Sequence, residues 1–162
     1  EAQLKLGRFQ EAKFYYKTFV DRFKNDPLIP EATWRMGVCD YQLGNLKNAI
    51  ETLQLFKNQF KDSPLLFYTH YLLAKIFMMK GDHLSAIKEL NFILNSSQEN
   101  SWGGAALLTL YWNHLQLGEN EGVNRTFQRL QRLNHFDEEK IFIQWLNAEI
   151  YCAGGEISEA LP

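Results

Sequence analysis

Apolar positions recur along the chain at helical spacing, in pairs of blocks set on either side of a glycine. One pair runs through Met36, Val38, Cys39 and Leu43, crosses Gly44, and continues through Leu46, Ile50, Leu53, Phe56 and Phe60. Spacing of three and four on both sides of one glycine is the pattern of two amphipathic helices joined by a tight turn. The pattern repeats. The stretches Leu6–Ala12 (LGRFQEA), Leu43–Ala49 (LGNLKNA), Lys80–Ala86 (KGDHLSA), Leu117–Val123 (LGENEGV) and Gly154–Ala160 (GGEISEA) carry Gly7, Gly44, Gly81, Gly118 and Gly155, each 37 residues from the next. A period of roughly 20–50 residues without an insertion marks stacked supersecondary units.

The glycine stands where the first helix stops and the chain reverses, since a residue without a Cβ tolerates positive φ there. The alanine five residues on is small enough for the second helix to approach the first. Asp26-Pro27 and Ser63-Pro64 put a capping side chain before a proline, which suits the first turn of a helix. Asn100-Ser101 and Asp137-Glu138-Glu139 supply caps and first-turn acids. The first helix of each unit (helix A) is therefore expected over 27–43, 64–80, 102–117 and 137–153, with a second (helix B) after each glycine. The chain divides into a partial repeat 1–26, repeats 27–63, 64–100 and 101–136, and a partial repeat 137–162. The linker 95–100, with Gly103 and Gly104 beyond it, reads as the loosest joint.

This layout resembles the tetratricopeptide repeat (TPR) over essentially the whole chain. In that family's register of about 34 residues the recurring glycine matches the turn glycine and the residue five later the small contact of helix B. Gly37, Ala74 and Ala148 match the small position in helix A, and Phe77 and Tyr151 its later aromatic. The resemblance implies an all-α fold, a right-handed α-solenoid of stacked antiparallel helix hairpins, with about one added helical turn per unit. Tyr111, Val123, Asp40 and His114 depart from the family pattern, so the fourth repeat is expected to pack less tightly. Phe19–Pro27 (FVDRFKNDP) and Phe56–Pro64 (FKNQFKDSP) are similar to bacterial envelope TPR proteins, which implies a periplasmic or envelope location.

Composition alters little in this picture. Of 162 residues 46% are apolar and 14% aromatic, enough for a sizeable core. A formal net charge of −2 and a pI near 6.1 give no field that would draw the chain to nucleic acid or an anionic membrane. No apolar run approaches the roughly 18 residues of a membrane helix, because His70 and Lys75 break the stretch Leu65 to Met79. The sequence opens at Glu1 inside a repeat and stops at Pro162 within a helix, and so reads as a fragment of a longer chain. Stacking holds Cys39 and Cys152 farther apart than the about 7 Å between Cα atoms that a disulfide tolerates.

Candidate chemistry is sparse. His70, His83, His114 and His135 lack a nearby Cys or carboxylate set at metal-ligand spacing, and no HExxH, GxSxG or phosphate-binding glycine loop occurs. No metal or cofactor is expected, and the chain reads as non-enzymatic. His70 and His114 are expected between helices with hydrogen-bonded rings, His83 and His135 in loops. Asp40, on a half-buried face, is expected to accept from a neighbouring hydroxyl or amide or to lean to the surface, the alternative being a catalytic base with a raised pKa. Arg125, Arg129 and Arg132 share one face of the fourth helix B, which reads as a solvated convex face or as a grip for an acidic partner.

The informative feature is helix A. In the TPR family this helix lines the concave face, and its groove positions fall on Trp34, Val38 and Tyr41; Tyr68, Tyr71, Lys75 and Met78; Leu108, Trp112 and Leu115; and Phe142, Trp145 and Glu149. The resemblance thus implies a protein-binding scaffold that holds an extended peptide or a helix on an aromatic groove. Lys75, Gln42, Gln116 and Glu149 would fix its register. The competing reading makes these aromatics core, because longer units rotate helix A inward. Two other roles remain open: a spacer or self-associating segment, with homodimerisation through apolar terminal faces, or repeats that regulate an enzyme domain elsewhere.

Overall fold

The turns decide where each helix begins and ends, and they repeat from unit to unit. The computed structural model describes residues 8–96 and 103–132. Within these the chain forms α1 (Phe9–Arg22), α2 (Ile29–Gln42), α3 (Leu46–Gln59), α4 (Leu66–Met79), α5 (His83–Asn95), α6 (Gly103–Leu117) and α7 (Asn120–Gln131), and no strand. Helices α2, α4 and α6 are the A helices, and α1, α3, α5 and α7 the B helices. Phe142, Trp145, Glu149, His135 and Cys152 lie outside the described residues.

Gly44, Gly81 and Gly118 have φ of 74°, 73° and 66°. At each, the next amide reaches back five residues: Asn45 N donates to Asp40 O, Asp82 N to Phe77 O and Glu119 N to His114 O, at 2.9–3.0 Å. A left-handed residue with this long return bond uses up the last free carbonyls of helix A and turns the chain at once into helix B. A Cβ at Gly44 would meet nothing within 4 Å, so glycine is needed there for its φ and not for space.

Helix starts differ from expectation. Pro27 and Pro64 precede the helices instead of opening them. Asp26 Oδ1 accepts from Leu28 N at 2.9 Å and Ser63 Oγ from Leu65 N at 3.2 Å. The carbonyls of Asp26 and Ser63 accept from Ile29 N and Leu66 N, both at 3.0 Å. Each proline is thus the second residue of a β-turn, where its fixed φ is equally at home, and the helix starts two residues later. Gly103 and Gly104 are helical, in the first turn of α6.

Consecutive helices pack together throughout, the α3–α4 joint least. The core is accordingly a string of small clusters. Ala49 and Leu53 of α3 meet Leu73 and Ile76 of α4. Ala74 of α4, Ala86, Leu90 and Ile93 of α5, and Ala106 and Leu110 of α6 form the next. Leu107 and Tyr111 of α6 close on Leu130 of α7. Each cluster joins neighbours only, the arrangement of a solenoid. Ala12, Ala49 and Ala86, the alanines five residues past the glycines, are at most 3% exposed. In the fourth repeat Val123 is half-buried and Gly122 makes the close approach instead, its Cα facing the His114 ring. Tyr111, far larger than its counterparts Gly37 and Ala74, is buried with Phe127 at 6.3 Å between ring centroids, and burial raises its phenol pKa.

Two glycine substitutions separate conformation from space. Gly44→Ala should lower unfolding stability by about 1–2 kcal/mol because a side chain resists positive φ. Gly103→Ala, helical with open space around it, should be neutral or raise stability by up to ~1 kcal/mol. Urea denaturation of both variants checks the pair.

Candidate protein-binding surface

Successive A helices lie side by side, and the aromatic positions join them. Trp34 of α2 meets Tyr68 of α4 edge to face at 6.2 Å. The Tyr71 hydroxyl of α4 lies 3.4 Å from Thr109 Oγ1 of α6. Along this strip Tyr68 is 43% and Trp112 42% exposed, and Lys75 is exposed. Trp34, Val38, Tyr41, Tyr71, Met78, Leu108 and Leu115 are half-buried. Trp34 and Tyr41 rest on the Ala49–Leu73 cluster, Tyr71 and Met78 on the Ala74–Ala106 cluster, and Leu108 and Leu115 on the Leu107–Leu130 cluster. The strip therefore has two layers: inner edges that are core, and outer rings, chiefly Tyr68 and Trp112, that meet solvent. Trp34 belongs to the inner layer, for its Nε1 is buried and finds no acceptor among the described residues.

Well-formed cavities lie elsewhere. Three of them, of about 410, 650 and 700 Å³, follow the edge of the array where B helices hand over to A helices. Leu28 and Glu31 are shared by the first and second, and Lys61 to Pro64 by the second and third. None of the strip residues lines these three.

Two buried ionic groups sit between repeats. Asp40, fully buried, takes an ion pair from Lys13 Nζ at 2.6 Å, and its second oxygen finds no partner among the described residues. It neither leans to the surface nor accepts from a hydroxyl or amide, because the helix face that carries it is covered by α1. The same two positions one repeat on are Ile50 and Phe77, both packed on the Ala49–Leu73 cluster. A charge pair here replaces an apolar one. Cys39 beside it is a free, buried thiol, and burial first, then the Asp40 charge, raises its pKa.

The second group is larger. Glu89 of α5 accepts from Lys57 Nζ of α3 at 2.7 Å and pairs with His70 Nδ1 of α4 at 2.5 Å. Burial alone would raise the Glu89 carboxyl, yet the bonds from His70 and Lys57 outweigh it and hold it below the usual carboxylate range. The His70 ring stacks on Phe92 at 3.7 Å, and its Nε2, buried, finds no partner among the described residues. His70 and His114 lie between helices as expected, the latter bonded to Glu119 at 2.6 Å. His83 differs: it opens α5 and reaches Asn113 of α6 at 2.9 Å. Arg125, Arg129 and Arg132 are exposed. Among the described residues no group of three His, Cys, Asp or Glu could hold a metal ion, and no helix is long and apolar enough to cross a membrane.

Both ionic groups were within reach of a position-by-position reading of the period. Lys13 stands where Ile50 and Ile87 do, and Glu89 where Thr52 and Thr126 do. A charge at a position otherwise apolar or neutral is the signal.

Helix hairpins in tandem, each touching only its neighbours, make this an α-solenoid of the TPR-like class. Residues 31–63, helices α2 and α3, match the tetratricopeptide repeat model, which agrees with the recognition made from the glycine period. Nearly identical TPR-like repeats assigned to a kinesin light chain of Podosopora anserina superpose with a TM-score of 0.74 at 15% identity, over 98% of this chain and 85% of that one. A point variant of those repeats gives 0.74 at 16%, over 98% and 84%. MamA gives 0.71 at 21%, over 98% and 86%. These likenesses are of fold, and none carries the envelope resemblance drawn from the two Phe–Pro stretches. No curated protein matches the chain. TPR repeats generally mediate protein–protein interaction and are generally non-catalytic scaffolds.

The ionic cluster makes a prediction for acid. A carboxyl whose pKa is lowered in the folded state contributes stability above its unfolded value, and that contribution is lost as pH falls through the folded value. The wild type should lose the Glu89 contribution progressively below about pH 4.3, the ordinary glutamate value. Glu89→Gln should start less stable at pH 7 and fall less steeply over that range. Urea midpoints at stepped pH measure both slopes.

Proposed function

We propose that the protein is a non-catalytic scaffold that holds an extended segment or helix of another protein along the helix-A strip. The observation that carries this reading is the exposure of Tyr68 and Trp112, 43% and 42%, on A helices whose inner residues are already packed. Large rings with a fixed inner layer behind them lose little conformational freedom on contact, which is why such residues anchor protein interfaces. Lys75, exposed on α4, would pair with an acidic or carbonyl group of the ligand. Phe142, Trp145 and Glu149 would extend the same strip by the sequence period.

The half-buried members contribute differently. Trp34, Tyr41, Tyr71 and Met78 support the outer rings, so truncating them would cost stability first and binding second. Leu108 would flank Trp112. Homodimerisation through terminal faces is the competing use of apolar surface, and it would consume the same protein without any ligand.

A pull-down from source lysate with the wild type beside Tyr68→Ala/Trp112→Ala tests this reading. The double variant should keep its helical circular dichroism and lose the retained partner, by about 2 kcal/mol or more for each anchoring ring. Equal retention by both proteins would remove the strip as the binding surface.

A further inference from the structure

The turn at Gly81 carries the most exposed apolar surface in the middle of the array. Among the described residues beyond Leu28, the most exposed large apolar side chains are Met79 and Leu84, at 62% and 58%. They stand on either side of Gly81, Met79 as the last residue of α4 and Leu84 as the second of α5. The turns at Gly44 and Gly118 lie to either side of this one, so the exposure is not that of an array end. Leu43 and Leu117, 38% and 37% exposed, belong to those flanking turns.

The period sets this surface apart. The counterparts of Met79 are Gln42 and Gln116, and those of Leu84 are Lys47 and Glu121, all four exposed. An edge that is polar in both neighbours has turned apolar in the central unit, which is surface kept for contact. Counterpart positions of stacked units form rows along the array, and the order within these rows is informative. One row reads Lys47, Leu84, Glu121: cation, apolar, anion. Reversed and laid against itself, it sets Lys47 on Glu121 at both ends and Leu84 on Leu84 in the middle. The same reversal sets Leu43 on Leu117 and Met79 on Met79. Lys80 and Asp82, exposed and two residues apart, then pair crosswise, so the axis opposes no uncompensated like charges. Glu121 is 84% exposed and its pair with Arg125 is long, at 3.6 Å, which leaves its carboxylate open to a second cation. Rows complementary to their own reverse are the property of a two-fold interface between identical chains. An unrelated partner would demand no such symmetry.

We propose that this chain forms a two-fold dimer, edge to edge, through the turns at Gly44, Gly81 and Gly118. The axis passes at Gly81, and a second copy covers Met79 and Leu84. Helices in contact stand about 8–10 Å apart, so three turns span about 20 Å. An interface of that width is small, and the dimer is a weak one. Neither Tyr68 nor Trp112 takes part, so the failure of the strip as a binding surface leaves this proposal standing, and the reverse.

Sedimentation velocity of the whole chain at low salt, loaded from about 1 µM to about 1 mM, reads the association. A reversible monomer–dimer equilibrium is expected. Lys47→Glu and Glu121→Lys each place like charges at both ends of the row, and each should weaken the dimer about tenfold or more. Mixed one to one, the two variants should recover it, since one copy then offers anions at both ends and the other cations. Met79→Gln/Leu84→Lys gives the Gly81 turn the residues of the Gly44 turn, so it should fold with unchanged circular dichroism and stay monomeric. Tyr68→Ala/Trp112→Ala should dimerise as the wild type does. A wild type monomeric throughout, single charge variants that dimerise like it, a mixture that fails to recover, or loss in Tyr68→Ala/Trp112→Ala would overturn the proposal. So would a dimer abolished by Tyr15→Glu, which would put the contact on α1 at the end of the array.

Discussion

The left-handed glycine that ends each A helix is the constraint on which the rest depends. It fixes where helix A stops and where helix B starts, and the long return bond leaves no slack between them. Because the turn is short, the two helices are forced into contact a turn later, and the residue there must be small. Ala49 and Ala86 meet that need directly, and in the fourth repeat Gly122 does so one position early, which lets Val123 stand half-buried. Hairpins of one geometry can then stack at one period, and the core becomes a row of clusters without a centre.

A stack of this kind tolerates variation inside a unit provided the partner position varies with it. Gly37 faces Leu53, while Tyr111 lies near Phe127, the residue one period on from Leu90. Lys13 and Asp40 replace the kind of apolar pair that Ile50 and Phe77 supply. A buried pair of that sort adds little net stability over well-packed apolar residues, though removing one partner is costly. What a charge pair adds is selectivity, since Asp40 left without Lys13 would be a buried, unpaired carboxylate. The Lys57–Glu89–His70 group does the same at the α3–α4 joint, the most sparsely packed in the array, where it ties three helices together through one carboxylate.

Much of the fold is legible in the sequence because one residue type at one interval encodes it. Gly44, Gly81 and Gly118 placed the turns, and the A and B helices followed to within a few residues. The proline starts were misplaced because Asp-Pro and Ser-Pro serve a β-turn as well as a helix cap, and the carbonyl that decides between them is not visible in a side-chain pattern. His83 was misplaced for a related reason: a residue two past a turn glycine can already be helical, with Asp82 between them as the cap. Asp40 was misjudged because its partner, Lys13, lies in the preceding repeat, and only alignment of Lys13 with Ile50 and Ile87 marks it as buried. The binding strip was legible as a set of A-helix positions, but not its division into packed inner rings and open outer ones. That division depends on how far helix A is rotated in a 37-residue unit.

Whether the strip is an open surface or interior is therefore the point on which the functional account turns. Hydroxyl-radical footprinting read by mass spectrometry tests it within one helix, since Tyr111 and Trp112 are adjacent on α6 and differ sharply in exposure, 1% against 42%. The account predicts rapid oxidation of Trp112 and Tyr68 in the native protein while Tyr111 stays protected until the chain is unfolded. Protection of Trp112 equal to that of Tyr111 in the free protein would contradict it, and would make the aromatic strip part of the core.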